Sequence, residues 1–110
     1  MHKYYAKQTT LDGHKFDSIA ESRRYAELKL LQQTGTISEL IVHPVFCLQA
    51  GFLDNTGKRQ RAINYEADFS YWENGKIIVE DVKGFETQAW LIKKKIFMYQ
   101  HPGIQLRVIK

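Results

Sequence analysis

Asp81-Val82-Lys83 sets a carboxylate and an ammonium two residues apart, and Asp68 lies upstream of them across an Asn74-Gly75 turn. Side chains of an extended strand alternate faces, so Asp81 and Lys83 point one way and Val82 the other. A hairpin at Asn74-Gly75 brings Asp68 to the same pair. Two acids and a lysine at the ends of apolar strands are costly to bury unless a divalent cation fills the space between the acids. A hard cation such as Mg2+ takes oxygen ligands, keeps several waters, and is held by one or two carboxylates plus substrate phosphate. Asp68 and Asp81 suffice for that. Lys83 then orients or deprotonates the attacking water and offsets charge developing on a phosphate. The competing reading is an ordinary ion pair between Asp81 and Lys83 at a strand end, with Asp68 facing a turn.

Glu21 is the third candidate acid, and two readings of it stand side by side. Ser18-Ile19-Ala20-Glu21 has the spacing of a capping box, in which the glutamate bonds back to the start of its helix. Glu21 also lies one turn before Tyr25, on the edge of the inward stripe, where its carboxylate faces the sheet. Glu80 is expected on the opposite sheet face from Asp81 and in a structural role, whereas Glu66 shares a face with Asp68 and is a candidate to support the metal ligands without touching the metal. Lys93-Lys94-Lys95 sweeps most of a helix circumference and reads mainly as a solvated face, with one lysine or Gln88 in reach of a phosphate. The four histidines show no paired metal spacing.

The elements that must position these groups follow from periodicity and turn chemistry. Residues 1–16 form an arm or short hairpin turning at Asp12-Gly13; Lys3, Tyr4, Tyr5, Lys7, His14 and Lys15 interleave cations with aromatics, which suits contact with a nucleic-acid backbone and unpaired bases or, equally, a loosely packed terminus. A helix runs from Asp17 or Ser18 to about Gln33 and stops at Gly35, with Tyr25, Leu28 and Leu31 inward. One long strand is expected over 41–53, with Pro44 near its start as an edge or bulge signal, a second over 60–72, and a third over 76–83, where Ile77, Ile78 and Val79 read as an interior strand covered on both faces. A second helix over 87–100 shows Ala89, Ile92, Ile96 and Tyr99 at helical spacing, and a last strand over 104–108 follows it. A strand after a helix is free to lie parallel to the meander, giving a mixed α/β sheet flanked by helices.

The chain has 110 residues, enough for one domain and one core. Its 44% apolar content and its two Trp, six Tyr and six Phe indicate a packed globule and not a disordered tail. A net charge of +4 permits a polyanionic partner without requiring one. Cys47, the single cysteine, sits in an apolar run and is expected in the core of a protein from a reducing compartment. No stretch approaches the ~20 apolar residues of a membrane span, and no signal sequence is evident, so the expected location is the cytoplasm. Zinc-finger spacing, Gly-rich phosphate loops and Gly-x-Ser-x-Gly nucleophile motifs are all missing from the sequence.

Glu21 on the first helix, Asp68 on a strand and Asp81-Val82-Lys83, in the order helix, three strands, helix, strand, resemble the PD-(D/E)xK nuclease superfamily. The PD element reads Ala67-Asp68 here, without its proline. Phe16-Asp17-Ser18-Ile19-Ala20-Glu21, Tyr65-Glu66-Ala67-Asp68-Phe69 and Val79-Glu80-Asp81-Val82-Lys83-Gly84 are similar to segments of small phage-encoded endonucleases related to Holliday-junction resolvases. The resemblance implies a restriction-endonuclease-like core and a Mg2+- or Mn2+-dependent endonuclease that hydrolyses phosphodiester bonds of branched or duplex DNA. It implies a metal set of Asp68, Asp81, Glu21 and Val82, with Lys83 positioning the nucleophile and Gln88 joining from the following helix. A homodimer acting in a bacterial host cell is the matching expectation, since one small chain has one site. A DNA-binding protein that keeps the fold without catalysis, or a subunit of a larger DNA-processing assembly, are the rival readings.

Overall fold

A computed structural model describes residues 8–110. A short antiparallel hairpin comes first, β1 (Thr9–Leu11) and β2 (His14–Phe16), turning at Asp12-Gly13. Lys3, Tyr4, Tyr5 and Lys7 of the expected basic arm lie outside the described residues. Helix α1 spans Ile19–Gln33 and is capped by Ser18, whose Oγ accepts the Glu21 N–H at 3.2 Å. Tyr25 and Leu28 are buried as the stripe requires, with Leu31 packed at their edge. Asp12 ties the hairpin to this helix by accepting hydrogen bonds from Tyr25 and Lys29.

Both long strands expected before the Asn74-Gly75 turn are broken into pieces. The first becomes β3 (Ser38–Val42), β4 (Val45–Gln49) and β5 (Phe52–Leu53); the second becomes β6 (Arg59–Gln60), β7 (Ile63–Glu66) and β8 (Phe69–Glu73). The breaks face each other. Near the hairpin turn the chain pairs β5 with β6, further back β4 with β7, and finally β3 with β8, all antiparallel. Where one pairing gives way to the next, His43 N–H donates to Asp68 O at 2.9 Å and Ala67 N–H to Pro44 O at 3.0 Å. His43 has φ of +55°, a left-handed conformation uncommon outside glycine, though histidine, like asparagine and aspartate, adopts it more often than most, and it marks the point where the strand is redirected.

Asn74 and Gly75 both have positive φ, +52° and +75°, as a two-residue type I′ hairpin requires. They join β8 to β9 (Lys76–Val82). Helix α2 (Gln88–Gln100) is capped by Thr87, and β10 (Ile104–Ile109) returns parallel to β9. The central sheet is therefore four-stranded and mixed, in the order β10-β9-β8-β3. One piece of each expected strand enters it.

Consecutive residues of β9 belong to opposite sides of this sheet. Ile78 joins Phe16, Tyr25, Leu28, Phe69 and Tyr71 under α1, while Val79 joins Leu48, Tyr65, Trp90 and Phe97 under α2. The run of apolar residues is thus explained by burial on both faces. Two expectations fail here. Helix α2 buries Trp90 and Phe97, not Ala89, Ile92, Ile96 and Tyr99, and Tyr99 is 88% exposed. Two large aromatics outweigh the aliphatic stripe in buried area, so they decide which face turns inward. Cys47 is exposed, since it alternates with the buried Leu48 on β4. Among the described residues no helix is long and apolar enough to cross a membrane.

A candidate acidic centre at the end of the central sheet

Strand alternation on β9 sends Ile78, Glu80 and Val82 toward α1, and Val79, Asp81 and Lys83 toward α2. Glu80 is fully buried and fully answered: Arg24 binds it through Nε and Nη2 at 2.7 and 2.6 Å, and the Tyr71 hydroxyl donates to it. That bond raises the guanidinium's affinity for its proton above the ordinary value. The structural role expected of Glu80 is what its contacts describe.

Asp81 is equally buried, at 0% exposure, and is answered differently. Its Oδ2 accepts from the Tyr65 hydroxyl and from Trp90 Nε1, the latter at 3.1 Å. Among the described residues its Oδ1 has no hydrogen-bond partner. A buried carboxylate oxygen left unpaired costs free energy on the order of 1–3 kcal/mol, more when charged, unless something occupies the place beside it. Burial first, then the bond to Asp81, raise the Tyr65 phenol far above its ordinary range, so the phenol stays a donor.

Asp68 occupies the break between β7 and β8 and accepts the Val82 N–H on Oδ2 at 2.7 Å. Burial, reinforced by the charges of Glu21 and Asp81, pushes its carboxyl up to about 8, against the opposing pull of the Val82 N–H. Glu21, only 3% exposed, therefore does face the sheet. It also takes a bond from the Ser18 hydroxyl to Oε2 at 3.2 Å, so capping and proximity to Asp68 are properties of one side chain. Glu21, Asp68 and His43 each place a ligand-type atom within 4.8 Å of the others. Asp81 is not in that set and meets it through Asp68, which is thus the shared member.

The other expected site residues separate into near and far. Lys83 is half-buried beside Trp90, its Nζ 5.2 Å from the ring centroid, and among the described residues it pairs with no carboxylate. The simple Asp81–Lys83 ion pair is therefore not what holds this strand end. Val82 turns its side chain into the α1 core, leaving only its backbone carbonyl as a possible ligand. Gln88 is exposed at the first turn of α2. Lys94 lies over the other approach to Trp90, at 4.8 Å, and Lys93 lines a groove of about 520 Å³ floored by Tyr65 and Trp90. Glu66 is exposed on the rim of that groove and does not share a strand face with Asp68, because the strand breaks between them.

Sequence spacing missed His43, Tyr65 and Trp90. Each reaches the centre through pairing of distant segments: Val42 with Phe69 sets His43 beside Asp68, and the packing of α2 sets Trp90 on Asp81. The positive φ of His43 has only a weak signature, since histidine tolerates that conformation better than most residues without requiring it. Tyr65, by contrast, precedes Asp68 by three residues, and a buried tyrosine needs a hydrogen-bond partner.

A mixed α/β protein with, among the described residues, two helices and buried acids gathered at the end of one sheet is the class these observations define. The chain belongs to the DUF1064 family, described as a protein of unknown function, whose model matches residues 1–110. None of the curated proteins matches it.

Proposed function

We propose that the protein is a Mg2+- or Mn2+-dependent DNA endonuclease of the PD-(D/E)xK type, with a restriction-endonuclease-like core, and that Asp68 is the pivot of its metal centre. One observation carries the reading: Asp81 is completely buried and, among the described residues, its Oδ1 has no partner, next to an Asp68 whose proton is held up to about 8 by burial first and then by the charges of Glu21 and Asp81. A bound cation answers both an orphan oxygen and mutual repulsion among acids. Asp68 and Asp81 are the ligands in this reading, with Glu21 and the Val82 carbonyl completing the set and His43 within reach.

A bound divalent cation would supply Lewis acidity at a phosphate oxygen. Tyr65 and Trp90 fix one oxygen of Asp81 and so aim the other. Lys83, held against Trp90, brings a positive charge to the phosphate and orients the attacking water. Gln88 needs to turn inward to take part, and it has the weakest place in this scheme. Branched or duplex DNA is the substrate, and two copies of the chain act together because paired cuts need two centres. The phage-encoded, resolvase-like assignment and action in a host cytoplasm belong to the same proposal.

Supercoiled plasmid incubated with the purified protein and Mg2+ or Mn2+ tests it directly. Nicked or linear product that disappears with EDTA and in Lys83→Ala is expected; an inert wild-type protein that still binds the plasmid favours the non-catalytic reading. Light scattering with and without DNA reads the copy number.

A further inference from the structure

Beyond Pro44 and Ala67, where the chain leaves the acidic centre, residues 45–65 form a single antiparallel arm, β4 with β7 at its base and β5 with β6 at its end. The base packs on α2, where Gln100 Nε2 donates to Leu48 O at 2.7 Å. Among the described residues the end pairs only with itself. It is nevertheless well built. Gly51 admits the opposite strand so closely that a Cβ there would stand 3.0 Å from Gln60 O and 3.3 Å from Ala62 N. At the turn, Asp54 accepts hydrogen bonds from Thr56 N–H, Thr56 Oγ1, Lys58 N–H and Gln60 Nε2 at 2.6–3.0 Å. Those bonds, from the Thr56 hydroxyl and the Gln60 amide first, hold its carboxyl well below the usual range and turn its charge into the loop.

What the end presents outward is cationic and apolar. Lys58, Arg59 and Arg61 are exposed, and among the described residues none is in an ion pair. Asp54 is the only acid between residues 45 and 65. Register decides which groups share a face. Leu53 lies opposite Arg59, with Arg61 two residues on, while Phe52 lies opposite Gln60 on the face that also carries Lys58. Phe52 is 44% and Leu53 64% exposed. Each face therefore offers one apolar side chain and at least one cation, an arrangement suited to a partner that carries negative charge on both sides of a slot.

The major groove of duplex DNA is such a slot and is wide enough for a two-stranded ribbon. We propose that the β5–β6 ribbon grips duplex DNA by entering the major groove, with Lys58 on one wall and Arg59 and Arg61 on the other, and with Phe52 and Leu53 against the bases. The proposal rests on DNA being the substrate, as argued above. At ~3.3 Å per residue the arm reaches up to roughly 30 Å from Asp68, so the grip falls within about one helical turn of the acids.

Fluorescence anisotropy of a labelled duplex in EDTA, across a salt series, tests the grip apart from cleavage. Replacing Lys58, Arg59 and Arg61 together by serine should lower the slope of log K against log salt by about 2–3, one phosphate contact for each side chain. Arg59→Lys/Arg61→Lys should restore it, and unchanged melting of both variants keeps folding out of the result. Methyl green, which fills the major groove, should displace the wild-type protein, and netropsin in the minor groove should not. An unchanged slope in the triple variant, no duplex binding by the wild-type protein, or displacement by netropsin alone overturns the proposal. Plasmid cleavage with Mn2+ is read in parallel: a protein that cuts with an unchanged slope loses only the ribbon, and one that never cuts but loses slope loses only the nuclease reading.

Discussion

Glu80 and Asp81 are neighbours on β9, both fully buried and both acidic, yet the fold treats them in opposite ways. On the α1 side Arg24 forks onto both oxygens of Glu80, so the charge is neutralised by the chain itself. On the α2 side Asp81 meets only neutral donors, and on one oxygen alone. A protein needing only a stable strand end would gain from a second guanidinium there, or from an apolar residue. The contrast teaches that burial of a charge does not mark a site. Burial with the compensation withheld does.

The strongest way to break this contrast is Asp81→Asn. Loss of a ligand charge removes several kcal/mol of transition-state stabilisation, so cleavage should fall by on the order of a thousandfold, while DNA binding holds or tightens as repulsion of phosphate drops. Wild-type turnover by this variant would remove Asp81 from the centre. Arg24→Ala attacks the other side. Stranding Glu80 should cost ~3–5 kcal/mol in chemical denaturation, with turnover per folded molecule unchanged. Should Arg24→Ala lose activity at full stability, the two faces are not separate in function.

Lys83→Ala should slow cleavage by about a hundredfold and leave Mn2+ affinity by calorimetry nearly unaltered, because Lys83 is placed to act on the phosphate and not as a ligand. Loss of metal along with activity would make its role structural. Asp68 sharpens the contrast through pH. Its carboxyl releases its proton near 8 when folded and near its ordinary value of 3.8 when unfolded. Between those limits the folded chain binds more protons, so stability falls as pH rises toward 8 and levels off above it. Mn2+ replaces that proton, and the rise in Tm on adding it should be larger at about pH 8.5 than at about pH 6. An equal rise at both would dissociate the metal from Asp68.

The smallest effect is expected for the stability of Glu21→Gln. The amide retains an acceptor for Ser18, so unfolding free energy should fall by no more than roughly 1 kcal/mol, whereas the rate should drop if the carboxylate assists the metal. A destabilised, fully active variant would leave Glu21 as a cap only.

Much of this frame was legible from local chemistry. Ser18 with Glu21 announced the start of α1, Asn74-Gly75 the tight hairpin, and Ile77, Ile78 and Val79 a strand buried on both faces. The alternation that separates Glu80 from Asp81 needed nothing beyond strand geometry. The breaks at 43–44 and 67–68 were not legible, because they arise where two strands exchange partners together, and neither segment alone carries a breaker strong enough to show it; Pro44 hinted at one of them. Those breaks in turn hid His43 and detached Glu66 from Asp68. The inward face of α2 was misread because aliphatic spacing suggested one stripe while the area of Trp90 and Phe97 favoured another. A single apolar helix with residues on every side does not state which face it will bury.

Strand exchange at His43 and Asp68 has a consequence for biosynthesis. Glu21 is on the first helix, His43 and Asp68 come together only when β3 meets β8, and Asp81 is enclosed only after α2 lays Trp90 over it. These contacts span long sequence separations, and loop-closure entropy makes such contacts late events in folding. A nascent chain that has emerged as far as β9 therefore carries Glu21, His43, Asp68 and Asp81 and no finished enclosure around Asp81. Completion of the fold is itself the switch that assembles the centre.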